Sequence, residues 1–502
     1  MKQDLLLVLD AGTSGVKCSL FDEKCALVDS TRADYGTVFP RPGWSEQPME
    51  DIWAACCRAA GELLGRTDPK RVACVGLSGT MNGCVPVDEA GQALHPNIIH
   101  SDSRAVKELE EIRAVISPED FYRLTGNRLD NHYTLPKILW LKEHEPEVYR
   151  RARWFLNIKD YLYGRLTGRF GFTDYSDASL TIALDINRRA WAGELLKELD
   201  LDVGRMPVIL KGHDVEGRVT EEVSRACGLI AGTPVAIGGG DGACTTRGAG
   251  VSEPGSAYCY IGSSAWVAQL LDHPLLDPKA RIFNWLDMNG EDYHVCGTVQ
   301  CGAAAYDWAL QNLLGGQDGS ADISAVEEMA RGIAPGAEGV MFLPTLMGWR
   351  TPYWDPNTRG CLMGFSLYHD RRHIARAVYE GIAFALNSCA EVMAECDAPV
   401  RSLMLTGGGA LSGLWPDMIA SIFGVTAQVH RTPGETTSLG AAIAAGVGVG
   451  LFNSYADAAG MVSARSTHPV DPRWQEAYRK VYAIWSDIYG QIRPLNDRIA
   501  GL

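Results

Sequence analysis

The feature that most constrains the fold of this chain is a β-hairpin pattern with a small, hydroxyl-bearing tip near the N-terminus. Leu5 to Leu9 is an apolar run, the turn cluster Asp10-Ala11-Gly12-Thr13-Ser14-Gly15 follows it, and Val16 to Phe21 is a second strand pattern. Glycine lets the backbone N–H groups of such a turn converge on an anion, and the two hydroxyls add donors. The pattern is therefore typical of two structures. One is a phosphate-binding turn, and the other is an ordinary hairpin turn, in which Asp-x-Gly is common.

A related pattern recurs in the second half of the chain. Ser256 to Ile261 reads as a strand, Gly262-Ser263-Ser264-Ala265 as a small hydroxylated tip, and Trp266 to Leu271 as the returning strand. Two such tips facing each other could hold a polyphosphate from both sides. The repetition favours the phosphate-binding interpretation of both turns.

Helix and strand patterns alternate between and after the two hairpins. A third strand is predicted over 25–30, a helix over 49–64, a strand over 72–78, a strand over 402–406 and a helix over 415–423. Alternation of this kind is typical of α/β folds. A chain of 502 residues exceeds the roughly 250–300 residues that one hydrophobic core supports, so two domains are expected. The Gly- and Pro-containing segment 248–255 predicts the boundary, with domains over 1–247 and 248–502.

Composition excludes several classes of function. A formal net charge of -15 argues against broad binding to nucleic acid or to an anionic membrane surface. The apolar runs are interrupted well before the ~18 residues that a membrane span needs, and the N-terminus has no apolar leader pattern. The 14 cysteines include no CxxC pair, which predicts free thiols in a reducing cytoplasm.

A glycine run that ends in an acid is the second candidate motif. Val235 to Ile237 predicts a strand, and Gly238-Gly239-Gly240-Asp241-Gly242 leads from it into small residues that look like a helix start. The positive end of the helix macrodipole is expected to keep Asp241 ionised at neutral pH. Such a carboxylate could accept the proton of an attacking hydroxyl, and the alternative is an ordinary N-cap aspartate.

The third motif, Thr406-Gly407-Gly408-Gly409-Ala410-Leu411-Ser412-Gly413, again lies between a strand and a helix. Its glycines would permit close approach of a flat base or a phosphate. A dinucleotide fingerprint needs a third small residue in a βαβ unit near the start of a domain and an acid about 20 residues on, and neither glycine run fits. The Walker A pattern is also absent, so any ATP site would work without its lysine.

Taken together, the order of these motifs resembles that of the FGGY family of carbohydrate kinases over nearly the whole chain. In that resemblance 10–17 and 262–264 are the two phosphate motifs, 239–241 is the catalytic-base motif, 407–410 is the adenosine motif, and 437–442 is the C-terminal signature helix. The resemblance implies a two-domain actin-like ATPase (ribonuclease H-like) α/β fold with an interdomain cleft. The first domain would bind sugar and phosphates, and the second would bind the nucleotide.

The resemblance also implies a mechanism, namely in-line transfer of the γ-phosphoryl group of Mg-ATP to a sugar or polyol hydroxyl. Asp241 would be the base and Asp10 would position the Mg²⁺ ion. The implied phosphate- and nucleotide-binding residues are Gly12, Thr13, Ser14, Lys17, Ser263, Ser264, Gly302, Gly408, Gly409 and Gly413. The candidates to contact the acceptor are Met81, Asn82, Trp44 and His132, besides Asp241. A homodimer is left open.

Within the family the chain is most similar to the xylulose-phosphorylating members, through segments 43–47, 134–140, 159–161 and 173–178. Those members usually have Gln-Met-His-Gly where this chain has Thr80-Met81-Asn82-Gly83, Trp-Asn-Asp where it has His100-Ser101-Asp102, and often Asn where it has Gly242. The resemblance therefore implies a ketopentose kinase, and the departures predict an acceptor other than D-xylulose.

Several alternatives stay open at this point. The chain could be a kinase of another ketose, a polyol or an aldonate within the same family. Outside the family, it could be a non-enzymatic actin-like ATP-binding module or a dinucleotide-dependent oxidoreductase. ATP turnover unaffected by any sugar would favour the module, and binding of NAD rather than ATP would favour the oxidoreductase.

Overall fold

Two seven-stranded sheets organise the chain in the computed structural model, which describes residues 3–315 and 322–501. The first sheet has the strand order β13-β14-β5-β1-β2-β3, with β15 pairing the end of β5, and the second has the order β18-β19-β17-β16-β22-β23-β24. The remaining strands form two-stranded ribbons. The two-domain actin-like α/β fold is built on these two sheets.

The strands are β1 (Leu5–Ala11), β2 (Gly15–Asp22), β3 (Leu27–Asp34), β4 (Glu46–Gln47), β5 (Val72–Gly79), β6 (Val85–Val87), β7 (Asn97–Ile98), β8 (Trp154–Leu156), β9 (Phe172–Asp174), β10 (Leu184–Asp185), β11 (Ala190–Trp191), β12 (Val208–Leu210), β13 (Gly217–Arg218), β14 (Pro234–Val235), β15 (Gly239–Gly240), β16 (Ser256–Ile261), β17 (Ala265–Leu271), β18 (Phe283–Leu286), β19 (Tyr293–Val299), β20 (Met341–Leu343), β21 (Cys361–Met363), β22 (Ser402–Thr406), β23 (Ala427–His430) and β24 (Ala464–His468).

The helices are α1 (Met49–Leu64), α2 (Glu108–Val115), α3 (Pro118–Thr125), α4 (Thr134–His144), α5 (Pro146–Arg151), α6 (Ile158–Thr167), α7 (Tyr175–Leu180), α8 (Gly193–Glu198), α9 (Glu221–Cys227), α10 (Asp241–Gly248), α11 (Ala303–Ala309), α12 (Ile323–Arg331), α13 (Arg371–Glu395), α14 (Trp415–Phe423), α15 (Thr436–Gly448), α16 (Tyr455–Ala459) and α17 (Pro472–Ile499). Short 3₁₀ turns cover Pro69–Arg71, Val203–Arg205, Ala337–Gly339 and Gly408–Leu411, and a π-helical turn covers Leu310–Leu314.

The predicted hairpins and their flanking elements are confirmed. Strands β1, β2 and β3 form the N-terminal meander, and β16 and β17 form the second hairpin. Helices α1 and α14 and strand β22 have the predicted bounds. The cysteines are free thiols, as predicted, and most are buried. The division of the chain into domains at residue 248 stays a prediction.

Strand β1 is buried on both faces, which explains why it reads as an unbroken apolar run. Leu5, Leu7 and Leu9 pack in one cluster with residues of α1, while Leu6 and Val8 pack in another with residues of α15. Helix α15 comes from the C-terminal half of the chain, yet it lies against β1 and β5 of the first sheet. One of the two layers that cover the first sheet is therefore formed by a helix, α15, that lies far from the sheet in sequence.

Helix α15 also crosses helix α10 at very short range, through glycines. A Cβ atom added to Gly440 would lie 1.8 Å from the carbonyl oxygen of Cys244, and one added to Gly248 would lie 1.8 Å from that of Thr436. These contacts leave no room for any side chain at either glycine. Since Asp241 is the first residue of α10, the crossing helps to set the position of the predicted base.

Among the residues that the structure describes, every helix is too short or too polar to span a bilayer.

Candidate active site

Asp10 and Asp241 lie at the same edge of the first sheet because their strands run parallel on either side of β5. Ser78 of β5 is in register with Asp10 of β1 and with Gly239 of β15. The chain leaves β15 directly into α10, whose first residue is Asp241. Ligand sites in open α/β sheets form at the carboxyl ends of parallel strands, so this edge is the expected place for chemistry.

Asp241 is not the N-cap of α10, because Gly240 occupies that position. The expectation that the helix dipole keeps Asp241 ionised is wrong. Removal of the carboxyl from bulk water and the nearby negative charge of Asp10 raise its pKa to about 7, and the Gly242 N–H only partly offsets them. Desolvation of a carboxylate exceeds the modest effect of a helix terminus. A carboxyl with a pKa near neutrality is well suited to general-base catalysis.

The pKa of the Asp10 carboxyl is set by effects of opposite sign. Its pKa is raised, chiefly by burial, while Lys17 and hydroxyl groups of Ser78 and Ser438 act to lower it. The Ser438 hydroxyl, from α15, donates to an Asp10 carboxylate oxygen at 3.4 Å. Two desolvated carboxylates near one another are an arrangement that a bound cation would stabilise.

Both hairpin tips contribute residues to the cavity that Asp241 lines, whereas Asp10 is not among its lining residues. The first tip is closed by the Gly12 N–H donating to the Gly15 carbonyl at 3.0 Å, and the Gln47 side-chain amide donates to the Thr13 carbonyl at 2.8 Å. The Ser14 hydroxyl accepts from Arg32 at 2.7 Å. The tip is thus held by side chains of neighbouring segments.

The second tip is anchored to the start of α11. The Gly302 N–H donates to the Ser263 carbonyl at 2.9 Å, and the Ala303 N–H donates to the Gly262 carbonyl at 2.7 Å. A Cβ atom at Gly302 would lie 2.6 Å from Cβ of Ala265. The role of Gly302 in the structure is therefore close packing beneath the tip.

Lys17 is held by the C-terminal half of the chain. Its ammonium group donates to the Gly434 carbonyl at 2.5 Å and lies 3.2 Å from a carboxylate oxygen of Glu435. A phosphate would have to share Lys17 with these partners, and its predicted role in phosphate binding stays a prediction.

A cavity of about 400 Å³ lies between the two tips and the end of β5. Its lining brings together six of the predicted residues: Thr13, Met81, Asn82, Asp241, Ser263 and Ser264. Lining residues that sequence reasoning did not select are Thr80, His100, Leu180, Gly242, Tyr258, Tyr260, Trp266, Phe283, Trp285, Cys296 and Thr298. Of these, Thr80, His100 and Gly242 coincide with departures from the family pattern, which was the one sequence signal that could have found them.

Trp44 and His132 do not line this cavity. The Trp44 ring packs edge-on against Trp140 at 5.2 Å and lies under the Arg104 guanidinium at 3.9 Å, so it is occupied in structural packing. His132 is linked to a lining residue of the cavity without lining it. The Lys137 ammonium donates to the His132 carbonyl at 2.7 Å and to the carbonyl of Asn82, which does line the cavity, at 2.5 Å.

A second cavity, of about 640 Å³, lies on the other side of the second tip. Its lining includes Gly408, Gly409 and Gly413, which were predicted to back the nucleotide, together with Gly262. Aromatic rings of Tyr306, Tyr379 and Trp415 form part of its wall. Because Gly262 lines this cavity while Ser263 and Ser264 line the other, the second tip separates the two spaces.

A buried ionic cluster supports the backbone in front of Asp241. The ammonium group of Lys159 lies 2.5 Å from Asp160, 2.9 Å from Asp174 and 3.2 Å from Asp177. The hydroxyl of Ser176 donates to Asp174 and accepts from the Gly240 N–H at 2.9 Å. The segments 159–161 and 173–178, selected by family resemblance, thus fix the residue that precedes the base.

Comparison with known proteins identifies the arrangement. The model of the FGGY family of carbohydrate kinases, N-terminal domain, matches residues 5–248, and that of the C-terminal domain matches residues 257–449. This chain belongs to the FGGY family of carbohydrate kinases. It is therefore an ATP-dependent sugar kinase, and the predicted fold class and enzyme class are confirmed.

Individual family members resemble the chain over its full length. It is 32% identical to the xylulose kinase of Escherichia coli over 97% of this chain and 99% of that protein. Among solved structures, the xyloylose kinase from Brucella ovis has a TM-score of 0.89 at 29% identity, covering 98% of this chain and 100% of that one. The gluconate kinase from Lactobacillus acidophilus has a TM-score of 0.91 at 25% identity, covering 97% and 98%.

Proposed function

We propose that this FGGY kinase transfers the γ-phosphoryl group of ATP to a hydroxyl of a ketopentose, with Asp241 as the general base. The observation that carries the proposal is the place of Asp241, in one cavity with Thr13 of the first tip and Ser263 and Ser264 of the second. The similarity to xylulose kinases supports a ketose as acceptor.

In this mechanism the acceptor lies in the 400 Å³ cavity and the nucleotide in the 640 Å³ cavity, with the second tip between them. Asp241 takes the proton of the hydroxyl as the hydroxyl oxygen attacks the γ-phosphorus, and the bond from that phosphorus to the β–γ bridging oxygen breaks, so that ADP leaves. Backbone N–H groups and hydroxyls of the tips hold the phosphate oxygens in line. Closure of the two domains would exclude water, which otherwise competes as acceptor.

The residues at the sheet edge fit a magnesium ion. Asp10 offers a carboxylate at the end of β1, and a cation there would stabilise the ionised forms of Asp10 and Asp241, which burial disfavours. Carboxylate oxygen plus phosphate oxygens and waters is the donor set that Mg²⁺ prefers. When bound, the ion would offset the charge of the transferred phosphates.

Asp10→Ala is expected to weaken the response to Mg²⁺ more than the affinity for the acceptor. The substitution removes the carboxylate proposed to hold the ion but leaves the lining of the acceptor cavity intact. Initial rates measured over a Mg²⁺ titration, with the KM of the acceptor determined at saturating metal, test this. An unchanged metal dependence would place Asp10 outside the metal shell.

The best acceptor is expected to be another ketose or a polyol rather than D-xylulose. Asn82 has a left-handed backbone with φ 66°, a conformation that Asn and His both adopt more readily than most residues. Asn82→His is therefore compatible with the loop, and it replaces a carboxamide by an imidazole with different donors and acceptors. We expect the variant to shift the kcat/KM ratio towards D-xylulose.

Competition assays at constant ATP, with pentuloses, hexuloses, polyols and aldonates, measure the preference of both proteins. A wide margin in favour of D-xylulose in the parent enzyme would show that Asn82 and Gly242 are neutral variation. Absence of turnover with every acceptor would contradict the proposed function itself.

A further inference from the structure

The ends of two neighbouring helices bring a buried carboxylate, a surface carboxylate and an imidazole together. Glu108 is the first residue of α2, and Glu143 and His144 belong to the last turn of α4. One oxygen of each carboxylate and one ring nitrogen of the histidine all lie within 4.8 Å of one another. In the described part of the chain this is the one group of three His, Cys, Asp or Glu side chains arranged so closely. None of the three residues lines the acceptor cavity or the nucleotide cavity.

The Glu108 carboxylate is buried without a hydrogen-bond donor. Its side chain is 1% exposed, and neither of its oxygens accepts a hydrogen bond from another described residue. The buried Asp287, by contrast, is paired with the Arg247 guanidinium at 2.8 Å. A carboxylate that leaves water without a partner is strongly disfavoured, so Glu108 lacks a positive group that would compensate its burial.

His144 lies near Glu108 but does not supply that compensation by a hydrogen bond. Its Nε2 is 3.5 Å from a Glu108 oxygen and 3.8 Å from a Glu143 oxygen. N–H···O hydrogen bonds are shorter, at about 2.7–3.2 Å. Ligand atoms bound at 2.0–2.2 Å to one tetrahedral ion are about 3.3–3.6 Å apart. The separations within the group are therefore closer to those around a shared ion than to those of direct hydrogen bonds.

The charges around Glu108 favour a cation. Burial raises the pKa of its carboxyl, the nearby carboxylates of Glu143 and Glu111 act in the same direction, and His144 opposes them. Three carboxylates thus surround one imidazole. A divalent cation between the ligand atoms would offset the repulsion among the carboxylates.

The ion can reach Glu108 from solvent through the other two side chains. Glu143 is 58% exposed and His144 is 40% exposed, and both lie over the buried carboxylate. The imidazole is oriented by packing on Trp140, with ring centroids 5.2 Å apart. Glu143, as an exposed side chain, can shorten its 3.8 Å separation without moving the backbone.

The ligand types select the class of ion. An imidazole nitrogen with two carboxylates suits Zn²⁺ and similar first-row divalent metals, whereas Mg²⁺ and Ca²⁺ prefer sites made of oxygen alone. Three protein ligands also leave a position for water, as is common for zinc.

From this geometry we propose that Glu108, Glu143 and His144 bind Zn²⁺ or a similar first-row divalent cation, which joins the start of α2 to the end of α4. The site is structural and separate from the magnesium site proposed at Asp10. Helix α4 also carries Lys137, whose ammonium group donates to the Asn82 carbonyl. The ion would therefore hold in place a helix that supports the loop of the acceptor cavity.

Calorimetric titration of the full-length, reduced and chelator-treated protein with Zn²⁺ tests the proposal. The titration is run in excess Mg²⁺, so that sites made of oxygen ligands are already filled. We expect the parent to bind a Zn²⁺ equivalent that His144→Gln and Glu143→Gln both lose. Both substitutions are at exposed positions, so the variants should fold.

His273→Gln is the matched control. His273 is also an exposed histidine beside a carboxylate, with Nδ1 2.6 Å from Asp272, but it belongs to no group of three ligands. This variant should keep the Zn²⁺ equivalent of the parent. Equal Zn²⁺ binding by the parent and His144→Gln would overturn the site. Displacement of the ion by an equal concentration of Mg²⁺ or Ca²⁺ would overturn the assigned class of metal.

Thermal melting of Glu108→Gln separates a metal site from a plain ion pair with His144. In the presence of a chelator the variant should melt at or above the temperature of the parent, because it removes an uncompensated buried charge. Added Zn²⁺ should raise the Tm of the parent by several degrees and that of the variant much less, since only the parent binds the ion tightly. A variant that melts lower without metal, together with an equal effect of Zn²⁺ on both proteins, would show an ion pair and contradict the proposal.

Discussion

Replacement of Asp241 by asparagine is expected to lower kcat by about 10²- to 10⁴-fold while leaving ATP binding intact. Asparagine has nearly the same shape, so α10 and the cavity wall should persist, but its amide cannot accept the hydroxyl proton. Asp241 lines the acceptor cavity and is absent from the lining of the nucleotide cavity. The rate of the chemical step should therefore fall, whereas the affinity for the nucleotide should stay unchanged.

The measurement is kcat at saturating ATP and acceptor, alongside the dissociation constant of a non-hydrolysable ATP analogue. A variant within about threefold of the parent in kcat would rule out the assignment of Asp241 as the base.

The pH dependence supplies a second readout for the same carboxyl. A general base works when deprotonated, so with a pKa of about 7 the parent should gain kcat/KM as pH rises through 7 and level off above it. Asp10 contributes part of this pKa through its negative charge, and a bound cation would lower it. The acidic limb should therefore move to lower pH as the Mg²⁺ concentration increases.

The raised pKa of Asp241 also makes the stability of the folded protein depend on pH. Between the unfolded value of 3.8 and about 7 the folded state holds a proton that the unfolded state releases, so this group makes stability fall as pH rises through that window. An asparagine at this position does not titrate and avoids that loss, which is at most about 4 kcal/mol. Thermal midpoints of the parent and Asp241→Asn, without Mg²⁺ or nucleotide, should diverge from pH 4 to pH 8 in favour of the variant.

Gly440→Ala is expected to be strongly destabilising, because the added Cβ would lie 1.8 Å from the Cys244 carbonyl oxygen of α10. Backbone cannot move aside as a flexible side chain can, so α10 and α15 would have to separate. Overpacking of this kind costs about 1–3 kcal/mol and sometimes more. Displacement of α10 should also lower kcat, since the helix begins with Asp241.

Gly490→Ala is the matched control for this prediction. Gly490 lies within α17, and a Cβ atom there would meet nothing within 4 Å. Alanine in an open helical position is expected to stabilise by about 0.5–1 kcal/mol. Thermal melting and kcat of both variants decide the matter: if Gly440→Ala melts and turns over like the parent, the helix crossing is looser than the structure indicates.

Local signals were sufficient for the hairpins, α1, β22 and α14, since each is bounded by turn residues and has a clear periodicity. The roles that bring Asp10 and Asp241 together were implied by the family resemblance, which assigns Asp10 to the Mg²⁺ ion and Asp241 to the base. The pKa of Asp241 could not be predicted from the sequence, because it depends on desolvation by segments that are remote in sequence.

The wall of the acceptor cavity was the least predictable part. Trp285 and Thr298 come from β18 and β19, and nothing in their local pattern distinguishes them from ordinary buried residues. His100 lies in a loop, and only its departure from the family pattern singled it out. Trp44, which lies within the family-like segment 43–47, packs on Trp140 and is not among the residues that line the cavity. Function at such positions depends on which elements the tertiary fold brings together.

Helix α15 is synthesised long after the strands that it covers, and this order affects how the chain folds during synthesis. Residues up to Gly248 supply all the strands of the first sheet, but the helix that covers one face of β1 and β5 begins only at Thr436, almost 190 residues later. At roughly 5–20 residues per second, a ribosome needs about 10–40 s to reach it. Throughout that interval an apolar strip that includes Leu6 and Val8 lacks its final cover. Native packing of the first sheet in the nascent chain therefore waits until α15 has been synthesised.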